Sequence, residues 1–452
     1  MHEHLGVLLP LWTILPFVGT LLAIALLPLA AEHWWEHNRN KALVALALAL
    51  PVAIYLPAVH GVAGVHALAE KLHEYTSFIA LLGALFIITG GIYVRGSLSG
   101  TPLQNSGILA LGGVLASAIG TTGASVLLIR PLLRANAMRQ RVTHIVVFFI
   151  FIVSNCGGLL TPLGDPPLFL GFLKGVPFEW TAGLWPFWLL VNGALLVVFH
   201  VWDEVVFDRE ERERPGSQLE EVQHHEAIGL EGAHNLLFLL GVVLVIYAAG
   251  RGLGTGGQPW PAGLGEVALA ALALGAYRST APQTRARNRF SFAPIVEVAV
   301  LFVGIFVTMA PALLILNAWG QGERTVFGAT FGATEPAHFF WATGLLSSFL
   351  DNAPTYLTFT ATAAGSLGIS LDGRYLATLL AHGEHAVALL AAISCGAVFM
   401  GANTYIGNGP NFMVKAIAEQ SGVKMPTFFG YMAYSMGVLM PLFVATTLLF
   451  FR

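Results

Sequence analysis

Two long apolar segments are each interrupted near the middle by glycine, proline and polar residues. Glycine and proline do not continue a helix readily, and non-helical backbone at membrane depth must line a cavity or be buried in protein. The freed carbonyls and the hydroxyl and amide oxygens in such a break are hard ligands that suit a small cation. The candidate ligands in the two breaks are Ser154, Asn155, Thr161, Asn403, Thr404 and Asn408.

Two further apolar segments are broken by short polar stretches and leave half-segments of only about 12 residues, which are too short to cross a bilayer alone. They predict re-entrant hairpins over residues 107–133 and 337–364. The hairpin tips bring more hydroxyl and amide groups to membrane depth. Their candidate ligands are Thr121, Thr122 and Ser125 in the first tip and Asn352 and Thr355 in the second.

Two acids, Asp165 and Asp351, lie in these breaks. A carboxylate at membrane depth is costly and is usually retained for function. Burial favours the neutral form of a carboxyl group and a bound cation favours the charged form, so one site can exchange a proton for a cation. Both acids also precede a half-helix, where capping of its free amide groups is an alternative role.

The surrounding chain has the composition of a multi-pass membrane protein. Of its 452 residues, 56% are apolar and 10% are charged, against about 25% charged in an ordinary globular chain. The net charge of −3 excludes a nucleic-acid binder, which needs a basic face. No metalloprotease or serine-hydrolase motif occurs, so we expect no enzyme, no cofactor and no metal other than a transported cation.

The apolar segments follow the same order in each half of the chain: three spans, a hairpin, a broken span and a plain span. This order predicts an all-α protein made of two repeats, each with five transmembrane helices and one hairpin. Because five crossings is an odd number, the second repeat is inverted. The repeats are predicted at 1–207, with its broken helix at 142–173, and at 235–452, with its broken helix at 386–417; residues 208–234 form a cytoplasmic linker.

Sequence similarity between the halves and the distribution of positive charge support this arrangement. Residues 161–167 and 404–410 share the pattern Thr-x-(Leu/Ile)-Gly-(Asp/Asn)-x-Pro. Sixteen of the 22 lysines and arginines fall on the inner side when both termini are placed outside, as the positive-inside rule requires. We therefore predict an N-out, C-out protein of the bacterial inner membrane, with the lipid bilayer as its main partner.

At these breaks the chain resembles the ion transporter superfamily. The motifs are Ser-Asn-x-Gly-Gly-x-x-Thr-x-x-Gly-Asp-Pro-Pro at 154–167, Asp-Asn-Ala-Pro-Thr at 351–355 and Ala-Asn-Thr-x-Ile-Gly-Asn-Gly-Pro-Asn at 402–411. It is most similar to the NhaD-type sodium/proton antiporters and to the citrate-transporter-like and arsenite-permease branches. The resemblance implies a homodimer with an elevator-like alternating-access cycle. It also implies that hairpin tips and broken helices bind sodium and substrate.

Charge favours a cation as the substrate. Two acids with no basic partner near the breaks attract cations and repel carboxylates, which predicts a secondary active transporter that exchanges Na⁺ or Li⁺ for H⁺. Arg130 and Arg134 are the nearest candidate counter-charges; if either reached the site, an anion would be favoured. The alternative is a sodium- or proton-coupled anion or metalloid permease for citrate or arsenite. A channel also contains broken helices, but inverted repeats with sites at the membrane midplane favour a carrier.

Overall fold

The computed structural model describes residues 5–35, 37–96, 99–213, 229–256, 260–323, 325, 332, 334–371 and 373–452. The central part of the predicted linker, residues 214–228, lies outside these ranges. The described chain is mostly helical. The first ten helices are α1 (Leu5–Leu8), α2 (Leu15–Ala30), α3 (Glu32–Trp35), α4 (Asn38–Thr89), α5 (Pro102–Ile119), α6 (Thr121–Ala135), α7 (Thr143–Ile152), α8 (Pro166–Leu173), α9 (Trp185–Glu213) and α10 (Asn235–Arg251).

The remaining helices belong to the second half of the chain. They are α11 (Leu264–Ser279), α12 (Pro282–Arg287), α13 (Ala293–Gly320), α14 (Pro336–Ser347), α15 (Asn352–Ser366), α16 (Tyr375–Leu380), α17 (Glu384–Met400), α18 (Gly409–Gln420) and α19 (Phe428–Phe450). Four short 3-10 helices complete the described helical structure, at Leu11–Ile14, Cys156–Leu160, Phe178–Leu184 and Gly401–Asn403.

Eight helical stretches within the described residues are long and apolar enough to cross a membrane. Their outer faces carry large exposed apolar side chains, such as Leu50 and Ile54 on α4, Val197 on α9 and Leu449 on α19. Apolar patches of this extent on a protein surface mark contact with lipid or with another protein. The chain is therefore a multi-pass membrane protein.

Helix α4 is 52 residues long and bends sharply at Gly61, where φ is 54° and ψ is −130°. Eight residues of straight helix span about 12 Å, yet a Cβ atom on Gly64 would lie 2.0 Å from the Leu56 carbonyl oxygen. The two arms of α4 are thus separate helices that meet at a tight corner. Glycine is suited to this corner because it adopts positive φ without a Cβ clash.

The two interrupted segments form the interior of the protein. Within 18-residue apolar windows, 89% of the residues are buried in Thr143–Leu160 and 83% in Glu384–Asn403, against 22% in the peripheral helix α19. A helix that is apolar all round belongs inside a bundle rather than on its surface. The polar breaks that follow α7 and α17 are therefore surrounded by protein, as non-helical backbone at membrane depth requires.

Two features differ from the fold expected from the sequence: a short strand pair and a longer helix α9. Residues Tyr93–Arg95 (β1) and Gly229–Glu231 (β2) pair as antiparallel strands, with Val94 opposite Leu230. Three residues are too few to give an alternating apolar pattern, so the sequence carried no signal for these strands. Helix α9 also continues to Glu213, into the segment predicted as a linker, because glutamate and arginine are good helix formers.

Candidate functional site

The two breaks have the same backbone geometry. Thr161 and Thr404 both end a 3-10 helix in an extended conformation, with φ and ψ of −141° and 159° and of −138° and 167°. Asp165 and Asn408 then occupy the N-cap positions of α8 and α18, with φ and ψ of −146° and 145° and of −152° and 140°. A proline within the first two positions of each half-helix helps to start it, since proline needs no amide hydrogen bond there.

Close backbone contacts between glycines hold both breaks in shape. A Cβ atom on Gly164 would lie 2.1 Å from the Gly158 carbonyl oxygen, and one on Gly407 would lie 2.6 Å from the Gly401 carbonyl oxygen. Both distances are far below ordinary van der Waals contact. The tightness of each break therefore depends on the absence of a side chain at these positions.

Asp165 is the point at which all four breaks meet. Its Oδ1 atom accepts hydrogen bonds from the Thr121 hydroxyl at 2.9 Å and from Asn408 Nδ2 at 3.3 Å, and its Oδ2 atom accepts one from Asn352 Nδ2 at 2.5 Å. Thr121 begins α6 and Asn352 begins α15, so the tips of both predicted hairpins contribute. The Thr121 amide also donates to the Gly164 carbonyl, at 2.8 Å.

The carboxylate of Asp165 is free of a capping role. Although Asp165 stands at the N-cap of α8, its side chain makes no cap hydrogen bond and is only 1% exposed. A carboxylate has about four acceptor positions, and neutral groups of the described chain fill three of them. The arrangement leaves room for one further ligand on a buried acid whose charge is unmatched by these partners.

Asp351 caps a half-helix, which was the alternative role for both acids. Its Oδ1 atom accepts a hydrogen bond from the Ala353 amide at 3.1 Å, which caps α15. Thr355 donates its hydroxyl to the Asp351 carbonyl oxygen at 2.9 Å, within the same helical turn. Asn352, rather than Asp351, makes the hydrogen bond to Asp165.

Asparagines connect Asp165 to the second break. Asn408 Nδ2 lies 3.1 Å from the Ser154 carbonyl oxygen and 3.2 Å from Asn155 Oδ1, and Asn155 Nδ2 donates to Asn411 Oδ1 at 2.7 Å. Asn411 in turn donates to the carbonyl oxygens of Gly401 and Thr404. Asn411 was not among the predicted ligands, although it ends the motif at 402–411. It lies on the first turn of α18, and its sequence position gave no sign of its contact with the break.

Most of the other predicted ligands form hydrogen bonds between the breaks and the neighbouring helices. The Thr161 hydroxyl donates a hydrogen bond to the Ser117 carbonyl oxygen on α5. The Thr404 hydroxyl donates one to the Ser348 carbonyl oxygen beside α14, at 2.5 Å. These equivalent bonds join each break to the neighbouring helix pair. The remaining contacts in this group are Ser125 with Ser154 at 2.8 Å and Asn403 Nδ2 with the Ser348 hydroxyl at 2.9 Å.

A small cavity of about 70 Å³ opens beside Asp165. One wall is apolar and comes from α4 and α13, and the other carries Thr121, Thr122 and Asp165. A water molecule occupies about 30 Å³ in the liquid, so the cavity has room for about two particles of that size, such as a small ion and one water molecule. The described residues that line it include no lysine, arginine or histidine.

The two arginines that would favour an anion are engaged elsewhere. Arg130 donates to the Asn288 carbonyl oxygen at 3.2 Å. Arg134 donates to the Tyr93 hydroxyl at 3.1 Å and to the Val94 carbonyl oxygen at 2.7 Å. Both guanidinium groups therefore lie against the β1 segment and the end of α12, away from Asp165.

Broken helices that meet around a buried polar centre in a multi-pass membrane protein are the arrangement of a secondary transporter. The comparisons with known proteins agree. Residues 6–451 match the family described as "Putative citrate transport", and the chain belongs to that family. A protein of Synechocystis sp. described as an uncharacterized transporter is 25% identical over 375 residues, which cover 74% of this chain and 75% of that protein.

Family membership confirms the resemblance to the citrate-transporter-like part of the ion transporter superfamily. It makes this chain a transporter and points to transport rather than to an enzymatic reaction. The transported substrate and the coupling ion are separate questions, which depend on the chemistry of the site around Asp165.

Proposed function

We propose that the protein is a secondary active antiporter that exchanges Na⁺ or Li⁺ for H⁺ across the bacterial inner membrane, with Asp165 as the exchange site. The observation that carries the proposal is the buried Asp165 carboxylate with three neutral hydrogen-bond donors. A buried carboxylate is strongly disfavoured unless a cation or a proton neutralises it. Binding one therefore excludes the other, which is the requirement for exchange.

The neutral oxygens around Asp165 suit an alkali cation. Asn352 Oδ1 is buried without a hydrogen-bond partner among the described residues. An unpaired buried acceptor costs about 1–3 kcal/mol, and a bound cation would recover that cost. Asp351 directly precedes Asn352, which donates to Asp165, so a charged Asp351 adds negative potential to the site.

Alternating access in this proposal follows an elevator-like cycle. The α5–α9 and α14–α19 segments would carry the site, and the other helices would form a fixed scaffold and a homodimer interface. The equal geometry of the breaks at Asp165 and Asn408 supports two inverted repeats, each with one re-entrant hairpin. The N-out, C-out orientation of this proposal rests on the distribution of lysine and arginine.

The family description favours a second candidate, a sodium- or proton-coupled permease for citrate or for a metalloid such as arsenite. Two features of the site argue against citrate. Pockets that enclose small organic ligands hold about 300–1,000 Å³, well above the cavity of about 70 Å³ beside Asp165. The described lining residues also offer no positive charge to a tricarboxylate.

The test is proton flux in everted membrane vesicles from a strain that lacks its own sodium/proton antiporters. Sodium, lithium, potassium, citrate or arsenite is added to vesicles that carry wild type, Asp165→Asn, Asp351→Asn or the exposed control Glu204→Gln. We expect sodium or lithium to collapse the pH gradient with wild type and the control, and Asp165→Asn to abolish the response. Citrate or arsenite uptake without a cation response would contradict antiport and support the permease.

A further inference from the structure

Two cavities lie along the same seam between α4 and α8. The smaller, beside Asp165, is lined by Phe78 and Leu85 of α4 and by Pro166 of α8. The larger, of about 520 Å³, is lined by His73 and Ser77 of α4 and by residues near the other end of α8. Phe169 lines both cavities and is only 3% exposed.

The lining residues of the two cavities show how α4 and α8 are oriented relative to each other. Along α4 the smaller cavity uses later residues than the larger one, whereas along α8 it uses earlier residues. The two helices are therefore antiparallel, and Phe169 lies between the cavities. Helix α8 has eight residues, with Asp165 directly before it and Lys174 directly after it. At about 3.6 residues per turn, the two residues are separated by slightly more than two turns of helix.

A buried cluster of charges joins α4 to the Lys174 end of α8. Lys174 Nζ lies 2.7 Å from Glu70 Oε1 and 2.6 Å from Glu74 Oε1, and Lys71 Nζ lies 2.9 Å from Glu74 Oε1. Lys71, Glu74 and Lys174 are each less than 10% exposed. Glu70, Lys71 and Glu74 belong to α4, and Lys174 immediately follows α8, so the ion pairs of Lys174 join the two helices.

We propose that the α4–α8 seam is the access route from the larger cavity to the Asp165 site, with Phe169 as its plug and the Lys174 ion pairs as its latch. The proposal rests on Asp165 marking the transport site, but it is independent of which ion is transported. With the orientation predicted from the positive charges, the larger cavity opens to the exterior.

The latch is suited to two discrete states. A buried ion pair holds its helices together only while both charges remain paired, and separating the charges without water is costly. Once the seam opens and water enters, each charge is solvated and the cost falls. Lys174 thus favours the closed seam without holding it permanently, and its removal should raise the population of the open form.

The route can be measured without any transported ion. The two native cysteines, Cys156 and Cys395, are both buried and are replaced by serine, and Thr122→Cys reports on the small cavity. A small, membrane-impermeant methanethiosulfonate is applied to right-side-out and to everted vesicles, and its labelling rate is recorded. Phe169→Ala should raise the rate about tenfold from one side only, as expected when a rarely open state becomes common.

Matched variants separate the plug and the latch from general loosening. Phe178→Ala removes an equal side chain that lines the larger cavity and not the smaller one, and Arg251→Gln breaks the exposed ion pair with Glu179 at the same cavity; both should label like the parent. Lys174→Met should raise labelling, and Lys174→Arg should restore the parent rate.

Glu70→Gln weakens the latch while Lys71 and Glu74 remain paired, so it tests the latch even if Lys174→Met fails to fold. If the parent and the Phe169→Ala variant are labelled at the same rate as each other in both vesicle orientations, the proposed route is wrong. Equal acceleration by Phe178→Ala would also overturn it. Unchanged labelling in Glu70→Gln and in a folded Lys174→Met would overturn the latch. If wild type shows no cation flux in the separate antiport assay, the proposed function is contradicted. The labelling result for the access route does not depend on that assay.

Discussion

Asn352 Nδ2 lies 2.5 Å from Asp165 Oδ2, although 187 residues separate the two positions in the sequence. An asparagine that donates through its amide nitrogen must direct its carbonyl oxygen elsewhere. In Asn352 that oxygen is buried and has no hydrogen-bond partner among the described residues. The same side chain therefore holds the Asp165 carboxylate and offers a free oxygen ligand next to it.

Asn352→Ala should weaken cation binding without unfolding the protein. The substitution removes a donor to a buried carboxylate and one candidate cation ligand, and hydrogen bonds to charged groups contribute about 1.5–3 kcal/mol. We expect the apparent KM for sodium to rise about tenfold or more, since 1.4 kcal/mol corresponds to a factor of ten. Sodium-dependent proton flux at several sodium concentrations measures this change.

Asn235→Ala is a matched control for Asn352→Ala. Asn235 is also fully buried, and its amide bridges Gly91 and Thr280 at a distance from the site. We expect this variant to lower the thermal stability of the protein and to leave the sodium KM unchanged. A KM shift of equal size in both variants would show that Asn352 acts through stability alone.

Gly164→Ala and Gly407→Ala should both disrupt the breaks. The added methyl groups would meet the carbonyl oxygens of Gly158 and Gly401 at 2.1 Å and 2.6 Å, and overpacking of this kind typically costs about 1–3 kcal/mol. We expect lower melting temperatures in detergent and reduced transport. Gly183→Ala, with no atom within 4 Å of the new methyl group, should match wild type; normal stability of Gly164→Ala would contradict the close packing.

The sequence was sufficient to locate the breaks because glycine, proline and polar residues are conspicuous in apolar segments. The pairing of Asp165 with Asn352 was not predictable in the same way. Each residue lies in a separate segment, and hydrophobic periodicity carries no information on which tips meet. The distinct roles of Asp165 and Asp351 also needed coordinates, because an aspartate before a half-helix has the same sequence context whether or not it caps.

The buried cluster at Lys174 shows a second limit of the sequence. In the structure Lys71 lies within α4, and both lysines are buried with glutamate partners. Spacing can suggest the Lys71–Glu74 pair within one helix, but the pairing of Lys174 with Glu70 depends on the packing of α4 against α8.

Protons should compete with sodium for the site. If Asp165 binds either ion, a lower pH raises its protonated fraction and so raises the apparent KM for sodium, by up to about tenfold per pH unit for a single proton. The maximal rate at saturating sodium should change much less. Flux measured between pH 6 and 9 in wild type and Asp351→Asn tests this relation; a sodium KM that is independent of pH would exclude exchange at one carboxylate.

Asp203→Asn should destabilise the protein far more than the loss of an exposed acid. Asp203 on α9 is fully buried, and its Oδ1 atom lies 2.7 Å from Arg139 Nη2 and 2.8 Å from His144 Nε2. Its Oδ2 atom accepts a hydrogen bond from Asn105 Nδ2 at 2.9 Å. Removing one partner of a buried ion pair costs up to about 3–5 kcal/mol, and the remaining ion pair of Arg139 with Glu210, at 3.3 Å, offsets part of that cost.

The pair of helices α5 and α6 depends on this network. Asn105 lies at the start of α5, and Arg139 follows α6, so Asp203 fixes the ends of both helices while Thr121 at their junction contacts Asp165. We expect a large fall in the melting temperature of Asp203→Asn in detergent, together with reduced transport. Glu204→Gln, next to it on the exposed face of α9, should change neither; equal melting temperatures for the two variants would show that the buried network contributes little to holding the α5–α6 pair.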